Sequence, residues 1–207
     1  QNHQLIISRV KTDDDVWQVS CYCLMPGVTR EMISWWFWWH PKQDERYQAW
    51  YPEMHKKIRY RKADTPYFEK ADMPPFQDNV QYPTETIGTS TMECVLKFIT
   101  PEEDGFDAAA MQDAHVATIV CAHVGMMRGL VMHTEMAHIC FQREDGLFMV
   151  NRFWMGQLMG SQRLRRKMIT EDTARGMCEH CLVEYRNMAE RLPKMYAEFG
   201  PGDVDCR

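Results

Sequence analysis

His180 and Glu184, in the segment HCLVE, stand four residues apart. On a helix that spacing stacks their side chains one turn apart and offset by about 40° around the axis, so both can reach one metal ion. Zinc takes three or four ligands, and an imidazole with a carboxylate suits a catalytic ion that keeps a position open, so the pair is half a site. Taken alone it is weak evidence, since the same spacing more often describes an ordinary contact on a partly exposed helix face. The overlapping CEHC at 178–181 raises a thiolate site, with CYC at 21–23 as its other half. Structural four-cysteine sites, however, present their pairs from turns or knuckles rather than from mid-helix. Further candidates lie upstream. His55 ends DERYQAWYPEMH, and Glu85 sits in YPTETIG, an otherwise uncharged strand where a glutamate usually faces solvent. His133 and His138 are five apart and face opposite sides of a strand unless a bulge intervenes. The Met and Phe neighbours of His138 favour it as the inward one.

The elements that must carry these residues are readable in order. VWQVSCYCLM (16–25) is β-leaning, Pro26-Gly27 turns the chain, and Thr29 caps a short helix through EMISWWFWW. The aromatic run WWFWWH (35–40) is cut off by His40, Pro41 and Lys42. It falls far short of the roughly 20 apolar residues a spanning helix needs, so no membrane partner is expected. A second short helix follows over DERYQAW, and 59–80, with Pro66, Pro74 and Pro75, is predicted to be an irregular loop. Four strand-like runs occupy 81–160: VLKFI, VATIVCAHV, GLVMHTEMAHICF and LFMVNRFWM. Asp145-Gly146 between the last two signals a two-residue type I′ hairpin. That register pairs residues whose numbers sum to about 291: His138 with Phe153, Met136 with Met155 and Cys140 with Asn151, all six on one face. After Thr170 an apolar helical period runs to 195/196, with Pro193 as a predicted kink. Short helices, an antiparallel sheet and one long C-terminal helix make the chain α+β.

At 207 residues the chain fits a single domain, 1–207, that buries on the order of 70% of its unfolded surface. The net charge of -5, with both signs scattered, argues against a nucleic-acid partner. The one basic cluster, RLRRK at 163–167, is read as a solvated turn before the last helix. Eight irregularly spaced cysteines are read as reduced thiols, and with no leader-like segment the expected location is cytoplasmic, although a first residue of Gln leaves room for an upstream segment. Seventeen methionines and seven tryptophans suit either a soft core or an adaptable ligand cavity.

Five segments in order, MPGVTREMISWWFWWH (25–40), RYQAWYPEMH (46–55), TETIG (84–88), HICFQREDGLFMVNRFWMG (138–156) and HCLVEYRNMAERLP (180–193), resemble the 2,4-diacetylphloroglucinol hydrolases and their phloretin-hydrolase-like relatives. The resemblance implies a Bet v 1-like helix-grip fold, in which a curved antiparallel sheet wraps a long C-terminal helix around a deep cavity. It also implies one Zn²⁺ held by His55, Glu85, His180 and Glu184, with Tyr47 and His138 as catalytic contacts to a phenolic substrate. His40 then becomes a structural hydrogen-bonder, and the aromatic run becomes packing beneath the helix that presents Tyr47 and His55. Two positions depart from the family pattern: Phe153 stands where a tyrosine is expected and Ile58 where an asparagine is expected. Both remove hydrogen-bonding groups, which bears on the substrate. With Met136 and Asn151 they form the expected substrate-binding set. The implied activity is metal-dependent hydrolysis of the carbon-carbon bond joining an acyl group to a phenolic or β-diketone-like polyketide, in secondary metabolism. The alternatives are a non-hydrolytic reaction at the same zinc (cyclisation, isomerisation or retro-aldol cleavage) and a metal-free carrier of apolar ligands. The expected partner is a small aromatic or polyketide molecule, with a homodimer as the candidate assembly.

Overall fold

The computed structural model describes residues 5–70 and 78–201. In chain order the elements are β1 (Leu5–Lys11), β2 (Trp17–Pro26), α1 (Arg30–Trp39), α2 (Asp44–Trp50), β3 (His55–Lys57), α3 (Thr65–Phe68), β4 (Val80–Gln81) and β5 (Thr84–Ile87). They continue with β6 (Ser90–Glu93), β7 (Val95–Ile99), α4 (Ala108–Asp113), β8 (Val116–Met126), β9 (Val131–Arg143), β10 (Gly146–Met155), α5 (Gln162–Met168) and α6 (Glu171–Phe199). Seven strands form one antiparallel sheet in the order β1-β2-β10-β9-β8-β7-β4, and β3, β5 and β6 form a second, three-stranded sheet. The sheet curves around α6, and the architecture is the α+β arrangement expected from the sequence.

Period-two alternation puts Val19, Cys21, Cys23 and Met25 of β2, Met136, His138 and Cys140 of β9, and Met149, Asn151, Phe153 and Met155 of β10 on the inner face. The buried stripe of α6, from Ala174 through Cys178, Cys181, Tyr185 and Met188 to Leu192, packs against them. Thr170 caps α6 by accepting from the Thr173 N–H, Glu171 and Asp172 complement its N-terminal dipole, and the helix continues through Pro193. Thr29 caps α1 in the same way, and Trp35, Trp36, Phe37 and Trp38 of that helix are all buried. Each such aromatic is worth about 3 to 5 kcal/mol against alanine, so the run is a principal anchor of the core. The cysteines of the described residues are free. None of the described helices is long and apolar enough to cross a membrane.

Three local expectations need correction. The β9–β10 turn is centred on Glu144-Asp145, so pairing follows Gly146 opposite Arg143 and places Asn151 opposite His138, Phe153 opposite Met136 and Met149 opposite Cys140. Neither turn residue has positive φ, so the turn is not type I′. Gly146 is instead required inside β10, where a Cβ would come within 2.2 Å of the Met25 carbonyl oxygen. Because the shift is two residues, every side chain keeps its face. RLRRK lies on the exposed short helix α5 rather than in a turn, capped by Ser161 and pinned by Arg165 to the Gly156 and Met159 carbonyls. The stretch predicted as irregular contains the short helix α3, with Tyr67 and Phe68 buried, while Pro74 and Pro75 lie outside the described residues.

Candidate functional site

The three-stranded sheet makes a cross-strand pair of His55 on β3 and Glu85 on β5. Helix α6 supplies His180 and Glu184 one turn apart, opposite that pair. His55, Glu85 and His180 each offer a donor atom within 4.8 Å of the others. His55 Nε2 lies 3.7 Å from Glu85 Oε2 and 3.6 Å from Glu184 Oε1, and His180 Nε2 lies 3.8 Å from Glu85 Oε2 and 3.9 Å from Glu184 Oε2. These separations are too long for hydrogen bonds. They are close to the roughly 3.3 Å between neighbouring ligands of a tetrahedral ion with bonds of about 2.0 Å.

The surroundings turn the four groups toward one another. His55 Nδ1 is 3.2 Å from the Tyr47 carbonyl oxygen and His180 Nδ1 is 3.1 Å from the Thr86 carbonyl oxygen. A carbonyl only accepts, so each ring carries its proton on Nδ1 and aims the Nε2 lone pair inward, the usual second-layer support of metal-binding histidines. Buried His55 Nε2 has no hydrogen-bond partner. Tyr47 stacks on the His55 ring at 3.9 Å between centroids, and its hydroxyl donates to Glu85 Oε2 at 2.9 Å. The Trp50 indole N–H donates to the Glu184 carbonyl at 3.0 Å, while Asn187 donates to the Trp50 carbonyl, tying α2 to α6.

Electrostatics agree with this geometry. Burial, then the charge of His180, pushes His55 down to about 2, and burial lowers His180 as well, so both imidazoles are neutral. Burial and then the Glu85 charge hold Glu184 well above the usual carboxylate range. Two neutral imidazoles facing two carboxylates, one destabilised by the other's charge, are suited to a divalent cation. The donor set fits a borderline ion such as Zn²⁺.

Beside the four groups lies a cavity of about 400 Å³ between the sheet and α6. Tyr47, Ile58, Met136, His138 and Phe153 line it, together with Glu85, His180 and Glu184. Asn151, in contrast, does not line the cavity: it lies behind His138 as its cross-strand partner, with its amide donating to the Cys21 carbonyl. Burial pushes His138 down to about 4, so it is a neutral donor and acceptor in an apolar pocket. Phe37 stacks on the His138 ring and is the member of WWFWW that reaches the cavity wall. His40 sits 2.7 Å from the Trp36 carbonyl through Nδ1 and stacks on Tyr47.

Tyr185, not among the candidates that the sequence offers, also lines the cavity. Tyr185 places its hydroxyl 3.4 Å from His138 Nδ1. The available signal is its position directly after Glu184, about 100° around α6 and so turned toward the sheet. His133, which strand alternation sets on the face opposite His138 unless a bulge intervenes, also lines the cavity because β9 carries that bulge: Val124 pairs with Thr134 and Gly125 with Met132, leaving His133 unpaired. Gly125 is required at that point, since a Cβ would meet the Val131 carbonyl oxygen at 2.5 Å.

Comparison with known proteins bears on this geometry. A family model described as "DAPG hydrolase PhiG domain" matches residues 10–197. The chain is 31% identical over 184 residues to phloretin hydrolase of Eubacterium ramulus, covering 84% of this chain and 65% of that protein. It is 25% identical over 231 aligned positions to 2,4-diacetylphloroglucinol hydrolase of Pseudomonas protegens, covering 94% of this chain and 73% of that one. A crystal structure of protein Ms6760 from Mycobacterium smegmatis is similar at TM-score 0.50 and 9% identity, covering 92% of this chain and 99% of that one. At that identity the likeness concerns the fold alone.

Proposed function

Because the chain belongs to the DAPG hydrolase family, we propose that it is a metal-dependent hydrolase that cleaves the carbon-carbon bond between an acyl group and a phenolic ring. The observation that carries the reading is the convergence of His55, Glu85 and His180 on one point at the cavity wall, with Glu184 reaching each histidine through a different oxygen and buried His55 Nε2 lacking a hydrogen-bond partner. The names of the relatives, phloretin hydrolase and 2,4-diacetylphloroglucinol hydrolase, supply the substrate class. The same premise supports reading 1–207 as a single domain of the Bet v 1-like helix-grip type, the sheet gripping α6 around the cavity.

His55, Glu85, His180 and Glu184 would hold Zn²⁺, which when bound supplies Lewis acidity toward an acyl oxygen and toward water. The rest falls to the chain. The overall change adds water across the bond: the acyl carbon gains hydroxyl and leaves as a carboxylic acid, and the ring carbon gains a proton. A ring carbon leaves acceptably only from the keto tautomer, so a proton must reach the ring before the bond breaks. His138, neutral and 3.4 Å from the Tyr185 hydroxyl, is placed to exchange that proton with a ring oxygen or carbon. Tyr47 holds Glu85 and the His55 ring in place while lining the cavity. Phe37, Phe153 and Met136 exclude water from the ring.

Phe153 and Ile58 motivate a second reading, a non-hydrolytic reaction of a polyketide at the same site, because they offer the ring oxygens no polar partner. Turnover of an acylphloroglucinol in H₂¹⁸O separates the two. Hydrolysis puts one solvent oxygen into the released acid. A product that keeps all substrate atoms, or an acid without label, contradicts the hydrolytic reading.

A further inference from the structure

On the outer face of the large sheet, away from the cavity, β8 and β9 place His123 directly opposite Glu135. The turn after β7, held by the Asp104 N–H to Thr100 carbonyl and Phe106 N–H to Pro101 carbonyl bonds, folds back and lays Asp104 over the same pair. Asp104, His123 and Glu135 each bring a donor atom within 4.8 Å of the other two. The Asp104 side chain is only 3% exposed, and its Oδ1 has no hydrogen-bond partner while lying 3.7 Å from His123 Nε2. That separation is too long for a hydrogen bond and close to what two ligands of one ion adopt.

Apart from His123, the contact that favours the Asp104 carboxylate is the Cys121 thiol, and no basic side chain among the described residues neutralises it. Lys97 is paired in register with His123, but no lysine or arginine among the described residues forms an ion pair with Asp104 or Glu135. Arg152, which lines the same outer-face hollow as Asp104 and Glu135, turns instead to the Ser20 hydroxyl and the Tyr22 ring. Asp104 is buried because Phe106 and Trp154 close over a small apolar cluster around Ile99, Cys121 and Ala137. A carboxylate oxygen buried there without a partner costs free energy that an ion would recover.

We propose that Asp104, His123 and Glu135 form a second divalent-metal site, remote from the cavity, that clips the turn after β7 onto the β8–β9 hairpin. The imidazole selects a transition ion such as Zn²⁺ over Mg²⁺ or Ca²⁺, and the part-exposed His123 leaves the remaining positions to solvent.

The test is Zn²⁺ stoichiometry by dialysis at fixed free Zn²⁺, for wild type, His123→Gln, Glu135→Gln and His180→Ala. Each of the first two variants should bind one equivalent less than wild type and keep its turnover. Both positions are partly exposed, and the two substitutions are independent, so a folding defect in one leaves the other informative. If both bind as much Zn²⁺ as wild type, the proposal is overturned. His180→Ala reports on the cavity site alone: if it lost no metal, the reading of the cavity would fail while the outer-face comparison stood.

Discussion

Tyr47 illustrates how the site works at the scale of single residues. Its carbonyl fixes the His55 tautomer, its ring stacks on the His55 imidazole, and its hydroxyl holds Glu85. Tyr47→Phe keeps the first two contacts and removes the third. Metal affinity should fall by about 10- to 100-fold, the usual cost of a lost second-layer partner, measured by competition with a chromophoric chelator. Unchanged affinity would show that Glu85 needs no such support. The pairing of His180 with Glu184 is visible in the sequence because a four-residue spacing on a helix has one geometric meaning. Glu85 is not decided by its strand, since Thr84–Ile87 is only four residues long and all four are half-buried. The inward reach of His133 depends on a bulge, which the alternation of residue types does not reveal.

At the scale of elements, the approach of the β5–β6 hairpin to α6 sets the spacing of the site. Gly88 takes φ +61 at the first central position of that hairpin, as a type II′ turn requires, and its backbone packs against Gly176 of α6. A Cβ on Gly176 would stand 3.0 Å from Gly88 Cα and 3.1 Å from Gly88 N. The contact lies four residues before His180 and three after Glu85. Gly176→Ala gains about 1 kcal/mol of helix propensity but forces the hairpin outward, at a cost of about 1 to 3 kcal/mol. We predict a small net loss of stability in denaturant unfolding together with a larger loss of metal affinity. Stabilisation with affinity intact would show that the hairpin yields freely. The β9–β10 hairpin carries a related lesson. The Asp145-Gly146 signal assigns Gly146 to the turn, whereas tight packing against β2 requires it, and local turn chemistry contains no information about a neighbouring strand.

Across the whole molecule, the order of elements is legible because two periods dominate: alternation in β2, β8, β9 and β10, and the helical stripe of α6. The cavity is not legible in that way, because Met136, His138 and Phe153 alternate like any core residues and nothing in their order shows that space remains beside them. The packing of WWFWWH beneath α2 explains why that space persists. Trp36 and His40 stack on each other and brace Tyr47 and Trp50, so the wall bearing the site is a rigid aromatic block. The central claim is that this wall holds a divalent ion on which turnover depends. Its most direct test is the metal content of protein purified without chelators or added metal, beside that of His180→Ala. An active wild type that holds about one equivalent of a divalent transition ion more than the variant, with activity lost in the variant along with that equivalent, is the predicted result. A wild type that cleaves an acylphloroglucinol while holding no metal would contradict it.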